Sequence, residues 1–195
     1  MAFKLSAERV SLMTVRPEDA PLIAAWLNDL DVSLPLGGEA YTPTFAERTR
    51  REIETDAQNH AFLIVHREDG VAIGRCALFG LDLINRSGKA GLFIGEKAYW
   101  NRGLGLEALN LLLDYGFNLL NLHSIMLGVF DFNERALRCY RKAGLRETGR
   151  MREARLIAGR YHDVILMDML AEEYSAGKLG VRTGYTANPD TVQGL

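Results

Sequence analysis

From residue 61 to residue 94 the chain runs as short apolar stretches cut by turn signals; from Gly103 onward its apolar residues recur every three or four positions. That change of period restricts the fold more than any other feature, because paired strands must give way to helices that cover them. Residues 61–65 and 71–79 flank Glu68-Asp69-Gly70, a hairpin signal, and residues 90–94 follow a turn around Asn85-Arg86-Ser87-Gly88. These three segments read as an antiparallel meander. Leu106, Leu109, Leu113, Phe117 and Leu120 then mark one face of a helix over residues 103–120. Residues 124–130 form a short apolar strand. Residues 133–143 form a compact helix, with Asn133 as its N-cap and Gly144 as the left-handed residue that closes it. Residues 150–157 and 160–169 make a hairpin about Ala158-Gly159.

Before the meander, residues 9–15 alternate as a half-buried strand. Pro17-Glu18-Asp19-Ala20 opens a helix whose Leu22, Ile23, Trp26 and Leu27 share a face. Pro35, Gly37, Gly38 and Pro43 make residues 29–44 a loop, and a charged helix follows from 45 towards 55. This order of elements indicates an α+β, or mixed α/β, architecture. A length of 195 residues suits one domain, expected over residues 1–173. The tail, residues 174–195, is expected to be mobile or used in subunit contacts. An unpaired last strand would leave an edge, so a homo-oligomer is expected.

Composition removes several classes of function. A formal charge of −2 lacks the basic excess of a nucleic-acid binder. No apolar run approaches the roughly 20 residues that cross a bilayer, and residues 1–6 lack the core of a secretory signal. Cys76 and Cys139 cannot build a disulfide framework, and His60, His66, His123 and His162 show no metal-ligand spacing, so no metal is expected. No His lies near Cys139 in sequence to activate it as an acyl carrier. The expected setting is soluble, reduced and cytoplasmic, with no membrane or nucleic-acid partner.

The chemistry concentrates in Tyr99-Trp100-Asn101-Arg102-Gly103-Leu104-Gly105-Leu106-Glu107-Ala108, where two glycines stand at a loop-to-helix junction. Without Cβ atoms they let an anion approach the unpaired N–H groups of the first helical turn, beside Arg102. A phosphate-bearing ligand is implied; a tight packing turn is the plainer alternative. The dinucleotide fingerprint does not fit. Residues 96–102 intervene between the strand and Gly103, and Asp131 lies 28 residues beyond Gly103 rather than about 20. No Lys-Ser or Lys-Thr follows the glycines, so a Walker-type loop is absent as well.

Arg102-Gly103-Leu104-Gly105 before a long helix resembles the pyrophosphate loop of the GNAT superfamily of acetyl-CoA-dependent N-acetyltransferases. The segment from Asn133 through Ala136, Tyr140, Lys142 and Gly144 to Leu145 resembles that superfamily's Asn-x-x-Ala-x-x-x-Tyr-x-Lys-x-Gly-Phe block. The resemblance runs from about residue 10 to residue 170. It is nearest the branch of ribosomal-protein N-terminal and spermidine acetyltransferases. Trp100 departs from it, standing where a Gln or Arg often opens the loop.

The resemblance implies a central, mostly antiparallel sheet of about seven strands with flanking helices. It also implies transfer of acetyl from acetyl-CoA to a primary amine by direct attack in a ternary complex. Phe93, Ile94 and Gly95 would pair with the pantetheine arm, and a bulge there would aim an N–H at the thioester oxygen. Arg102, Gly103, Leu104, Gly105 and Leu106 would hold the pyrophosphate. Asn133 would cap its helix and also meet the pantetheine, and Tyr140 would protonate the departing thiolate. A core aromatic is the alternative reading of Tyr140. A non-catalytic acyl-CoA-binding or sensor module on the same fold is the rival function.

Neither the base nor the acceptor is singled out. Glu96, Asp163, His123 and Glu107 are each placed near the cofactor strand, the acceptor pocket or the long helix, and none stands apart as base. The acceptor, a small molecule or a peptide amine, is expected to meet residues 28–44, where Asp29, Asp31 and Glu39 give an acidic character, and residues near Asn85 and Asp163. A protein N-terminus, a polyamine and an amino sugar all stay open.

Overall fold

The computed structural model describes residues 5–55 and 60–174, with the side chain of Glu39 outside the description. Strands β1 (Leu5–Ser6), β2 (Val10–Thr14), β3 (His60–His66), β4 (Ala72–Asp82), β5 (Ser87–Ile94), β6 (Ser124–Phe130), β7 (Arg146–Ile157) and β8 (Arg160–Leu170) form one sheet. Their spatial order is β1-β2-β3-β4-β5-β6-β8-β7. Every pairing is antiparallel except that of β5 with β6. The mixed architecture and the mostly antiparallel sheet therefore agree with the sequence reading. The additional strand, β1, is two residues long, too short for any period to reveal.

Helices α1 (Ala20–Leu27), α2 (Leu30–Ser33) and α3 (Ala46–Thr55) cover one face; α4 (Leu104–Asp114) and α5 (Glu134–Ala143) cover the other. Strand alternation assigns the faces. Val10, Leu12, Phe62, Ile64, Cys76 and Leu78 point to α4, while Met13, Leu63 and Val65 meet Ile23 and Trp26 of α1. The segment expected as a loop, 29–44, contains α2, whose cap is Asp29 accepting from the Asp31 N–H, and a 3₁₀ turn at Gly38–Tyr41. The long helix expected over 103–120 is α-helical only to Asp114 and continues as a wider π turn, Tyr115–Leu119. Asn133 and Gly144 bound α5 as expected: the Asn133 carboxamide accepts from the Ala136 N–H, and Gly144 has φ +102°.

The expectation of an unpaired last strand is corrected. β8 lies between β6 and β7, so β7 is the edge. The reason is burial: Ile165, Met167 and Met169 of β8 enter the α4–α5 core, whereas nearly all of β7 is exposed. Tyr174, expected to begin the tail, is docked; its ring stacks on Phe117 and its hydroxyl donates to Asp114. Residues 175–195 lie outside the described residues. Among the described residues no helix is long and apolar enough to cross a membrane.

One irregularity positions the site. β5 pairs with β6 only at Ser87↔Ser124, Gly88↔Ile125 and Lys89↔Met126, and beyond Lys89 the two strands part.

Candidate active site

A cleft of about 750 Å³ opens where β5 leaves β6, walled by the start of α4 and the inner face of α5. On the β5 wall the backbone phase decides which groups are free. The N–H groups of Gly95 and Glu96 both donate to the Ile73 carbonyl, at 2.8 and 3.1 Å, which is the pattern of a β-bulge. With Ile94 opposite Gly74, alternation turns the polar backbone groups of Phe93 and Gly95 to β4 and those of Leu92 and Ile94 to the cleft. Of the three residues expected to meet pantetheine, Ile94 alone presents its backbone there, and Leu92 joins it. The Ile94 carbonyl is already taken by the Trp100 indole N–H at 2.8 Å, which leaves the Ile94 N–H. Arg135 of α5 lies 4.0 Å above the Trp100 ring, so Trp100 ties the β5 wall to the α5 wall. In the sequence Trp100 stands out only as a departure from the family's loop; its indole N–H and ring face show their use in the fold.

At the head of α4, Gly103 has φ +79°, a left-handed conformation that glycine adopts without strain. The first helical bond comes from the Glu107 N–H to the Gly103 carbonyl, so the N–H groups of Leu104, Gly105 and Leu106 precede it and stay free of the helix. A Cβ on Gly105 would come no nearer to its surroundings than 3.8 Å, at Ile94 Cγ1, and so would project into open cleft. These donors fit a pyrophosphate. The Arg102 side chain is turned away: its guanidinium lies over Tyr99, whose hydroxyl donates to Asp69 at 2.6 Å. Its carbonyl accepts from Arg9 Nη1, and Arg9 in turn pairs with the buried Glu107 at 2.9 Å. Glu107 is thus a brace for the glycine loop and has no free oxygen for proton transfer: Oε1 accepts from the Arg9 N–H and Oε2 from the guanidinium.

Tyr140 lines the cleft from α5 and is 8% exposed. Burial pushes its phenol well above the ordinary tyrosine range, and the neighbouring Cys139 adds to the shift, so the hydroxyl keeps its proton. None of the described residues hydrogen-bonds that hydroxyl. Asn133 also lines the cleft, with its carboxamide oxygen committed to the cap and its NH₂ group left to donate. Cys139 stands half-buried in the same wall, but burial pushes its thiol up to about 11, and Cys76 is raised further still. Neither is a thiolate nucleophile at neutral pH.

The acceptor-side expectations fare differently. Asn85 lies in the β4–β5 turn bonded to Asp82, about seven strand residues, or ~23 Å, from Ile94. The Asp163 carboxylate is occupied by the Glu153 N–H at 2.8 Å and by Arg150 at 3.2 Å, which hold it below the usual carboxylate range. Asp29 and Asp31 share one cation, Lys97, which ties both carboxylates and offsets one of their two charges. The Glu39 expectation lies outside the described side chains. Glu96 is half-buried and accepts from the Trp26 indole at 2.8 Å; His123 is exposed and outside the cleft.

Among curated proteins, an uncharacterized N-acetyltransferase p20 of Bacillus licheniformis is 26% identical over 175 residues, 88% of this chain and 98% of the relative. The spermidine N(1)-acetyltransferase of Escherichia coli K12 is 32% identical over 108 residues, 55% of this chain and 58% of that protein. Among solved structures, the spermidine N-acetyltransferase of Vibrio cholerae in complex with CoA and spermine aligns over 85% of this chain and 98% of its own, with TM-score 0.77 and 26% identity. The family model of the acetyltransferase (GNAT) domain matches residues 9–146, well over half of the chain. With its bulged strand, its helix-terminal cradle and its buried phenol in one cleft, the chain belongs to the GNAT family and is an acetyl-CoA-dependent N-acetyltransferase.

Proposed function

We propose that the acetyl group passes directly to a primary amine while both substrates occupy the cleft. The observation that carries this reading is the convergence of free β5 backbone, unpaired α4 N–H groups and Tyr140 on one cavity. The N–H groups of Leu104, Gly105 and Leu106 bind the pyrophosphate, and the Leu92 and Ile94 edge aligns the pantetheine arm. The Ile94 N–H donates to the thioester oxygen as negative charge grows there. The amine nitrogen bonds to the acetyl carbon as the carbon–sulfur bond breaks and Tyr140 Oη gives its proton to the sulfur; the nitrogen sheds one proton to water as the amide forms, and Tyr140 regains its own from water. Asn133 positions the arm through its NH₂ group. Spermidine acetyltransferases among the relatives support an amine acceptor.

Gly105→Val tests the cradle. Acetyl-CoA should raise the melting temperature of the wild type by stabilising the folded state alone. The variant has room for its Cβ at ordinary contact distance. It should therefore fold, yet lose that shift because the added methyl groups stand where the anion must approach. An equal shift in both proteins places the pyrophosphate elsewhere. Coenzyme binding without acetylation of any amine, read by mass spectrometry, would instead support the sensor reading.

The exposed β7 edge also supports self-association, since a second copy can pair with it. Light scattering at micromolar concentration should return a mass of at least twice 21.7 kDa; a monomer removes this part of the proposal.

A further inference from the structure

The cleft reaches through the parted strands to the face that carries α1 and α2, where Leu27, Val32 and Leu36 form its rim. Arg75 belongs to this face. It stands opposite Leu63 and Phe93, and both pack into the cluster around Trp26. Its Nε is buried and bonds to nothing among the described residues, and no ion pair among them includes Arg75. A buried N–H with no acceptor is costly, and on this half-buried side chain it calls for a partner that reaches it from the cleft. The pyrophosphate is not that partner, because the α4 cradle lies on the opposite face of the sheet. Lys89 follows on the same face, opposite Phe79, with its side chain exposed.

The charge of the whole cleft points the same way. Its described lining includes Arg75, Lys89, Arg135, Arg138 and Lys142, and no Asp, Glu or His. The last three lie on α5, on the side of the cradle, where they suit the phosphates of the coenzyme. The first two face the acceptor side. Of the acids on this side, Asp29 and Asp31 share Lys97, which offsets one of their two charges, and Glu96 accepts from the Trp26 indole; none of the three lines the cleft. Asp168 shares the face but stands across Met126 from Lys89, two strands away.

Resting on the direct-transfer reading above, we infer that the acceptor is a primary amine carrying its own carboxylate or phosphate, bound by Arg75 with Lys89 beside it, and that polyamines are rejected. A polyamine would bring several cations against two and would leave the Arg75 Nε unmet. A carboxylate or phosphate satisfies it with charge-assisted hydrogen bonds, for which a guanidinium fork is well shaped. Arg75 stands opposite Phe93, the residue before Ile94, so its side chain rises from the sheet beside the edge at which the amine is aimed.

The test compares kcat/KM for the common amino acids and phosphoethanolamine with that for the amino-acid methyl esters and ethanolamine, with spermidine as the polyamine. Wild type should prefer the anionic member of each pair and leave spermidine unacetylated. Arg75→Gln should reduce the anionic-to-neutral ratio roughly 10- to 100-fold, and Lys89→Gln, an exposed change, should reduce it less. Ratios near one in wild type, preference for spermidine, or a ratio that Arg75→Gln leaves unmoved would each overturn the inference. The two amine–anion classes are told apart by whether phosphoethanolamine or the amino acids gain most. If no amine is acetylated, the direct-transfer reading fails separately, and the anion site is then read by melting the CoA complex with N-acetyl amino acids. A shift present in wild type and lost in Arg75→Gln upholds the site; no shift in either rejects it.

Discussion

Tyr140→Phe should lower kcat by roughly 10²- to 10⁴-fold while acetyl-CoA still binds and the protein still folds. The substitution deletes one hydroxyl and keeps a ring that is 8% exposed in the wall of the cleft. The phenol is suited to donate rather than accept, because burial raises its pKa above the ordinary value of 10. It therefore stays protonated across the alkaline range in which the amine accumulates as its reactive free base. The alkaline limb of the wild-type profile should accordingly show no loss of rate near pH 10 from this residue. Product release can mask a slowed chemical step, so single-turnover rates are the measurement that decides. Equal single-turnover rates in variant and wild type would make Tyr140 a packing residue.

Gly95→Ala should cost about 3 kcal/mol of stability or more, at the upper end of what overpacking a core costs. A Cβ at this position would lie 2.3, 2.4 and 2.6 Å from Cγ, Cδ2 and Cδ1 of Trp26. The indole cannot swing aside cheaply. It is 4% exposed, meets Phe93 edge-on at 6.0 Å and donates to Glu96. Relief must therefore come from shifting α1 or the end of β5, and the second disturbs the Ile94 N–H. Melting should fall by roughly 6–12 °C, at 2–4 °C per kcal/mol for a chain of this size. Gly91→Ala is the control. Its Cβ would approach only Phe79 Cε1, at 3.2 Å, and that ring is 37% exposed and free to yield. Equal melting of Gly95→Ala and wild type would mean that Trp26 does not sit where it is described.

Local determinants are legible in the sequence. Asn133 and Gly144 bracket α5 through contacts within a few residues, and β6 occupies the expected 124–130 because its apolar run is short and bounded. Determinants spread along the chain were invisible. The exchange of β7 and β8 at the edge depends on which strand buries Ile165 and Met167 against α4 and α5, and both strands look alike as an isolated hairpin. Whether Phe93 or its neighbours turn to the cleft depends on where the bulge at Gly95 and Glu96 falls, and side-chain alternation does not report the phase of the backbone bonds. The acids at 29 and 31 are tied by one cation, Lys97, more than sixty residues on. Arg75 is an ordinary polar residue in a strand until packing leaves its Nε without a partner among the described residues.

The parting of β5 from β6 has a consequence for how such a sheet survives in a crowded cell. Exposed strand backbone is a template for other chains, and proteins commonly confine it to the margins of a sheet and blunt it there. Here Leu92 and Ile94 present unpaired groups at the middle of the sheet, roofed by α4 and α5. A neighbouring polypeptide would have to enter edgewise between two helices and two strands to use them. The opening that admits the pantetheine arm is thus set inside the molecule, away from the margin where another copy's strand would pair.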